Sequence, residues 1–266
     1  MSVAIQGIVP FSIAEELKIS VDDLLISING TEPEDIIDYN FLCADEEIEL
    51  KIKKAGGKTI IYEIEKDEDE DLGLVFAANV FDGIRTCNNH CIFCFMAQLP
   101  PDARASLKIK DDDYRMSFLE GNYITGTNLS EADIQRIIRL RLSPLYFSVH
   151  ASEHNLRNKL LGNKHAADII PLLKRLLDEG IKLHLQLVLC PQINDGEHLR
   201  RTVEDLADLG EGVLSVALVP VGLTKYQKNK YLRPFTKNEA ESVLDFCHSQ
   251  QDKYLAERQP FAFCRR

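Results

Sequence analysis

No stretch of the sequence reaches the roughly 18 consecutive apolar residues that a membrane-crossing helix needs. The N-terminal segment MSVAIQGIVPFSIAEEL lacks the basic flank and apolar stretch of an export signal. Both absences predict a cytoplasmic protein. Without export, seven cysteines read as thiols or metal ligands rather than as a disulfide framework. No G-x-G-x-x-G follows any strand-like run, which removes the dinucleotide-binding reading. Bases are scarce in residues 1–75, with 6 against 19 acids and a net charge of −13. Such a surface repels phosphates and argues against nucleic acid there. Residues 76–266 carry 23 acids and 25 bases, a net of +2. The break in charge predicts two units with different surfaces.

The first unit reads as β-rich. IQGIV, DDLLISING and the pair EEIELKIKKAGGKTIIYEIE predict strands, with Asn29-Gly30 and Gly56-Gly57 at the turns. FSIAEELKI and DIIDYNFL predict short helices, and the charged run Lys66–Asp71 predicts a boundary near residue 70. After it, strand and helix alternate. LVFAANVF, MSFLEGNYIT, LYFSVH, LHLQLVL and VLSVALVP predict five strands. LSEADIQRIIRL, DIIPLLKRLLDEG, GEHLRRTVEDLADLG and TKNEAESVLDFCHSQQDKYLAE predict helices, the first with a box of Ser130 and Asp133 at its start. Near-continuous apolar strands between helices imply a parallel sheet covered by helices, here part of a (β/α) barrel, in an α/β fold. In such a barrel, chemistry sits at the C-terminal ends of the strands.

Cys87-Asn-Asn-His-Cys91-Ile-Phe-Cys94 is a C-x₃-C-x₂-C motif. Thiolates hold soft metals and iron–sulfur clusters. Spacings of four and three wrap three corners of a cubane and leave one iron open. A zinc site is the alternative, with His90 as fourth ligand. A purely electron-transferring cluster would want a fourth cysteine, and none is near. At the other predicted strand ends stand Gly121, Asn122, Thr125, Thr127 and Asn128, then Ser148 and His150, then Cys190 and Asn194, then Lys225 and Tyr226. Each has a plainer reading: a polar loop before the Ser130 cap, a structural histidine, a buried thiol, a turn, a surface loop. The functional reading makes His150 a proton carrier and Cys190 a hydrogen-atom donor or radical quencher.

The stretches VDDLLISING, EDIIDYNFL, DEDLGLVF, FDGIRTCNNHCIFCF, SLKIKDDDYRMSFLEGNYITGTNLS, LRLSPLYFSVHAS, LRNKLLGN, LVLCPQINDG and VALVPVGLTKY together resemble a bacterial family. That family fuses a PDZ-like module to a radical SAM barrel and a C-terminal domain of unknown function, and is described as iron–sulfur oxidoreductases. The resemblance implies a PDZ-like fold for residues 1–70, a barrel from residue 71, and a [4Fe–4S] cluster on Cys87, Cys91 and Cys94. It implies that S-adenosylmethionine chelates the open iron, with Phe93 near the adenine. Gly121, Asn122, Thr125, Thr127 and Asn128 occupy the place of a Gly-Gly-Glu-like element that holds the methionyl amino group, here without its glutamate. Ser148 and Asn194 join them as cofactor-binding candidates. An electron donor such as flavodoxin or ferredoxin is implied, along with a peptide, intramolecular or dimer contact through the PDZ-like module. The sequence departs from the family at Gly126, usually leucine, at Gln192, usually glycine, and at Phe11, usually small. It stops where the resemblance places the sixth barrel strand, around Phe261–Phe263. A truncated barrel that binds partners without catalysis is therefore the alternative expectation.

Overall fold

The computed structural model describes residues 2–256 and 262–264. The chain divides into two compact units, Met1–Ile84 and Arg85–Arg266.

In the first unit, β1 (Val3–Ile8), α1 (Ile13–Glu16), β2 (Leu24–Ile28), α2 (Ile36–Leu42), β3 (Glu47–Lys53), β4 (Thr59–Glu65) and β5 (Leu74–Phe76) follow in order. The strands form one antiparallel sheet, β4-β3-β2-β1-β5. Alternation sets which side is buried: Ile48, Leu50 and Ile52 are buried while Glu47, Glu49 and Lys53 are exposed. Ser12 caps α1 and Asp35 caps α2, each side chain accepting a backbone N–H of the first turn. The run LVFAANVF, expected as the first barrel strand, instead supplies β5, which pairs with β1 and closes this sheet. The first compact unit accordingly runs to Ile84.

The second unit holds α3 (Tyr114–Glu120), α4 (Glu131–Arg139), β6 (Leu145–Ser148), α5 (His154–Leu161), α6 (Ile169–Asp178), β7 (Leu183–Leu189), α7 (Gly196–Ala207), β8 (Val213–Pro220), α8 (Lys237–Ala256) and β9 (Ala262–Cys264). Strands β6-β7-β8-β9 form a parallel sheet. One face of β7 is a file of fully buried leucines, Leu183, Leu185, Leu187 and Leu189, and each such side chain is worth about 1.5–3 kcal/mol of apolar burial. The other face carries His184, Gln186 and Val188, which stay partly accessible. Helices α6 and α7 bury Leu173, Leu176, Leu199, Val203 and Leu206, at spacings of three and four.

The expected strand MSFLEGNYIT is a helix followed by a single parallel bridge, Ile124 to Phe147. The capping chemistry explains this. Asp113 accepts the Arg115 N–H at the start, and Gly121 ends the helix in the left-handed region at φ 74°. Two capped ends outweigh an apolar run that would also suit a strand. The box of Ser130 and Asp133 forms at the start of α4. Strand β9 pairs with β8 where the sixth strand was expected, while Phe261 lies outside the described residues.

Candidate active site

The cysteine loop is held at both ends by backbone bonds. The Cys87 N–H donates to the Lys110 carbonyl at 2.8 Å, and the N–H groups of His90 and Ile92 donate to Leu161 and Leu160 at 2.9 Å each. The last carbonyls of α5, which have no partner within the helix, are thus satisfied by the loop. Gly162 permits the approach. It caps α5 at φ 59°, and a Cβ there would lie 2.9 Å from the His90 carbonyl carbon and closer still to its oxygen. Phe93 inserts among Ala151, Leu160, Cys190 and Val221. Ala151, Cys190 and Val221 stand just beyond the C-terminal ends of β6, β7 and β8. The loop is therefore seated where strand ends converge, the catalytic end of a β/α sheet.

Cys87, Cys91 and Cys94 are each half-buried. Burial, and then the neighbouring Cys87 and Cys94 sulfurs, push the Cys91 thiol up to about 12. Burial also raises Cys87, against hydrogen bonds from Asn89. Among the described residues no three His, Cys, Asp or Glu side chains stand grouped closely enough to hold a metal ion as they are oriented. The donor set is three thiols on one anchored loop, with amide donors at one sulfur, and this chemistry fits a thiolate-held iron–sulfur cluster. His90, the candidate zinc ligand, is exposed. Beside the sulfurs lies a cleft of about 350 Å³ lined by Cys87, Cys94, Met96, Ile109, Asn122 and Tyr123.

Asn89 joins the cysteine loop to the Thr125–Thr127 segment. It is 2% exposed. Its side-chain amide lies 3.4 Å from the Cys87 sulfur, 2.9 Å from the Thr125 hydroxyl and 2.8 Å from that of Thr127. Its oxygen accepts from Asn163 at 2.8 Å. Thr125 in turn donates its hydroxyl to Asp112 at 2.7 Å, and Asn128 donates to the Asp112 carbonyl at 2.9 Å. Burial raises the Asp112 carboxyl above the usual range, against the bonds from Thr125. Arg157 runs through the interior, donating to the carbonyls of Val149, Ala167 and Thr125, and burial lowers it to about 10. Sequence reading missed Asn89, Asp112, Arg157 and Asn163. Asp112 sits in an acidic triplet that reads as solvated charge, and only Asn89, inside the motif itself, carried a local signal.

The other expected residues divide. Thr125, Thr127 and Asn128 gather at the Cys87 side, as described. Asn122 reaches Asp111 at 2.6 Å and lines the cleft, and a Cβ added at Gly121 would lie 3.4 Å from the Tyr146 ring. Ser148 is buried, its N–H bonded to Ile124. His150, the expected proton carrier, stands just after β6. It is buried edge-on against Phe93 at 4.7 Å, its Nδ1 accepts the Val188 N–H at 3.1 Å, and burial pushes it down to about 3, which keeps it neutral. Cys190 is wholly buried in the apolar cluster around Phe93, and burial pushes its thiol up to about 12. Asn194 is spent on backbone: its amide donates to the carbonyls of His150 and Val188 at 2.9 Å each, and its oxygen accepts the Cys190 N–H at 2.7 Å. It shapes the turn after β7. Lys225 is exposed and Tyr226 half-buried on the segment after β8. Phe11 and Gln192 both lie at φ 62°, a region that favours glycine. At Gly126 a Cβ would meet the Phe147 ring at 2.9 Å.

Among solved structures, the chain is similar to SuiB of Streptococcus suis bound to S-adenosylmethionine, at 14% identity over 69% of this chain and 49% of that one, with a TM-score of 0.46. It is also similar to a radical SAM methyltransferase from Sphaerobacter thermophilus, at 16% identity, 97% and 82% coverage and a TM-score of 0.37. A domain of pyruvate-formate lyase-activating enzyme from Bacteroides vulgatus matches at 11% identity, 54% and 80% coverage and a TM-score of 0.40. The chain spans about half the length of SuiB. No curated protein matches the sequence. Residues 66–216 match the family model described as the radical SAM-like domain, a span that contains the whole cysteine loop and strands β6 and β7. The chain belongs to the radical SAM-like domain family.

Proposed function

We propose that the chain holds a [4Fe–4S] cluster on Cys87, Cys91 and Cys94 and uses it to cleave S-adenosylmethionine reductively, starting radical chemistry on a substrate. The observation that carries this is the seating of the three-cysteine loop, through Phe93, over the ends of β6, β7 and β8. Cys87, Cys91 and Cys94 would hold the cluster, which when bound would supply the single electron that reductive cleavage of S-adenosylmethionine requires. The chain's own residues position the partners. Asn89 orients Cys87 and fixes Thr125 and Thr127 beside it. Thr127, Asn128, Asn122 and Ser148 offer oxygens and amides for the amino acid end of the cofactor, and Phe93 an apolar edge for its adenine. The cleft at Met96, Ile109 and Tyr123 offers a mostly apolar surface beside the loop. Anaerobic reconstitution of the full chain tests the reading. About four irons per chain and dithionite-dependent 5′-deoxyadenosine, both lost in Cys91→Ala, support it. Bound zinc with no cleavage sinks it.

We further infer that residues 1–70 form the core of a PDZ-like module. The five-stranded antiparallel sheet with two short helices supports this, and the fully projecting Phe11, 97% exposed, suits a contact between copies of the chain. Sedimentation of the full chain against Phe11→Ser checks the contact. Identical monomers at all concentrations would dismiss it.

A further inference from the structure

Gln98 binds the cysteine loop to the segment that follows β8. It is 4% exposed. Its amide donates to the carbonyls of Phe93 at 3.5 Å, Cys94 at 3.4 Å and Gly222 at 3.3 Å. Its side-chain oxygen accepts the Thr224 N–H at 3.0 Å, and its backbone carbonyl accepts the Thr224 hydroxyl at 2.7 Å. Thr224 is therefore linked through one residue to the backbone of a cluster ligand. A second contact reinforces the join, because Gly222 lies against the Phe95 ring at 3.5 Å from its would-be Cβ.

The segment that begins at Lys225 is out of character for the chain. Residues 225–237 carry five basic side chains and no acid, in a protein of net charge −11. Arg233 is committed to Glu239, and Lys237 lies 3.7 Å from Glu241. Lys225, Lys228 and Lys230 are exposed, and among the described residues none of them has a carboxylate within ion-pair distance. Lys225 rests over the Tyr226 ring at 5.2 Å, and Tyr231 beside them is 86% exposed. Unpaired cations on a surface steer and orient an oppositely charged partner more than they stabilise their own fold.

We propose that Lys225, Lys228 and Lys230 form the docking surface for an acidic one-electron carrier protein that reduces the cluster. The proposal rests on the cluster reading given above. In the step, the reduced carrier loses one electron and the cluster gains one; no bond forms or breaks and no proton is required. The position favours a redox protein over a nucleic acid. The lysines follow directly on Thr224, which is hydrogen-bonded through Gln98 to the loop where the electron must arrive, and a single exposed tyrosine offers little stacking surface.

The test compares the reconstituted full chain with the triple variant Lys225→Gln/Lys228→Gln/Lys230→Gln. The probes are a flavodoxin in its hydroquinone form and dithionite. Stopped-flow bleaching of the cluster absorbance gives the reduction rate, and fluorescence titration with oxidised flavodoxin gives its affinity. The expected result is a loss of at least tenfold in flavodoxin-driven rate and in affinity at low salt, with the salt dependence flattened and dithionite bleaching unchanged. Equal flavodoxin rates in the two proteins, with normal dithionite bleaching, overturn the docking surface alone. Tight binding of a single-stranded RNA probe through the same lysines, with flavodoxin rates unmoved, overturns it in favour of nucleic acid. Absence of dithionite bleaching in both proteins overturns the cluster reading, and electron delivery with it.

Discussion

Gly162→Ala is expected to unseat the cysteine loop. The perturbation is one methyl group, and its cost has two parts. The residue sits in the left-handed region at φ 59°, where a side chain costs about 1–2 kcal/mol. The added Cβ also lies 2.9 Å from the His90 carbonyl carbon, which is backbone and has no rotamer to change. The loop must withdraw, and withdrawal breaks the bonds from His90 and Ile92 to the end of α5, worth about 0.5–1.5 kcal/mol each. The total is about 2–5 kcal/mol. With a urea dependence of about 2 kcal/mol per molar, in the middle of the usual range, the unfolding midpoint of the second unit falls by about 1–2.5 M. Gly180→Ala is the control. Its φ of 82° carries the same backbone cost, but nothing lies within 4 Å of its Cβ, so it should lose only about 1–2 kcal/mol. The assay is urea unfolding of the metal-free chain, followed by iron content after reconstitution, which should fall in Gly162→Ala alone. If the two alanines destabilise equally and retain equal iron, the close packing of α5 on the loop is not what holds it.

Three further perturbations follow from the same network. Asn89→Ala leaves the Asn163 amide and the two threonine hydroxyls without their shared partner, at about 1–3 kcal/mol, and removes a donor from the Cys87 sulfur. Its reconstituted cluster should show a more negative midpoint potential in a spectroelectrochemical titration, and an unmoved potential would dismiss the sulfur contact. His150 is neutral in the fold, with its pKa held down at about 3, while the unfolded ring takes up a proton near pH 6.5. The protein should therefore lose stability as pH falls from 6.5 toward 3, and urea midpoints of His150→Gln should slope less over that window. Asp113 behaves in the opposite sense. Burial raises its carboxyl, but bonds from the Arg115 guanidinium and the Arg85 N–H outweigh burial and hold it below its usual value. Its stabilisation is present above about pH 4 and is lost as pH falls through the lowered value. Asp113→Asn should cost about 3–5 kcal/mol at pH 7 and show a flatter profile below pH 4, and parallel acid limbs would count against the pair.

Much of this molecule was legible in its sequence for local reasons. The spacing of Cys87, Cys91 and Cys94 carries its chemistry whatever the fold around it. The strands LYFSVH, LHLQLVL and VLSVALVP show themselves as apolar runs between helices because a parallel sheet is buried on most of its surface. Ser130 and Asp133 announced α4 because a capping box is complete within four residues. What failed was what depends on distant partners. LVFAANVF has the composition of a strand in either sheet, and only the unpaired edge of β1 decides that it closes the first. MSFLEGNYIT has strand-like content, and its two caps decide for a helix. The sequence was also silent on which polar atoms at the strand ends are bonded within the chain: the His150 Nδ1 and the Asn194 amide are taken up by neighbouring backbone groups. Asn89, Asp112 and Arg157 lie far apart in the chain and meet only in the fold. The sequence by itself determined which thiols are available and which runs must be buried. The tertiary structure decided which polar groups remain free at the cysteine loop, because hydrogen-bond capacity is settled only when every buried donor and acceptor has been given a neighbour.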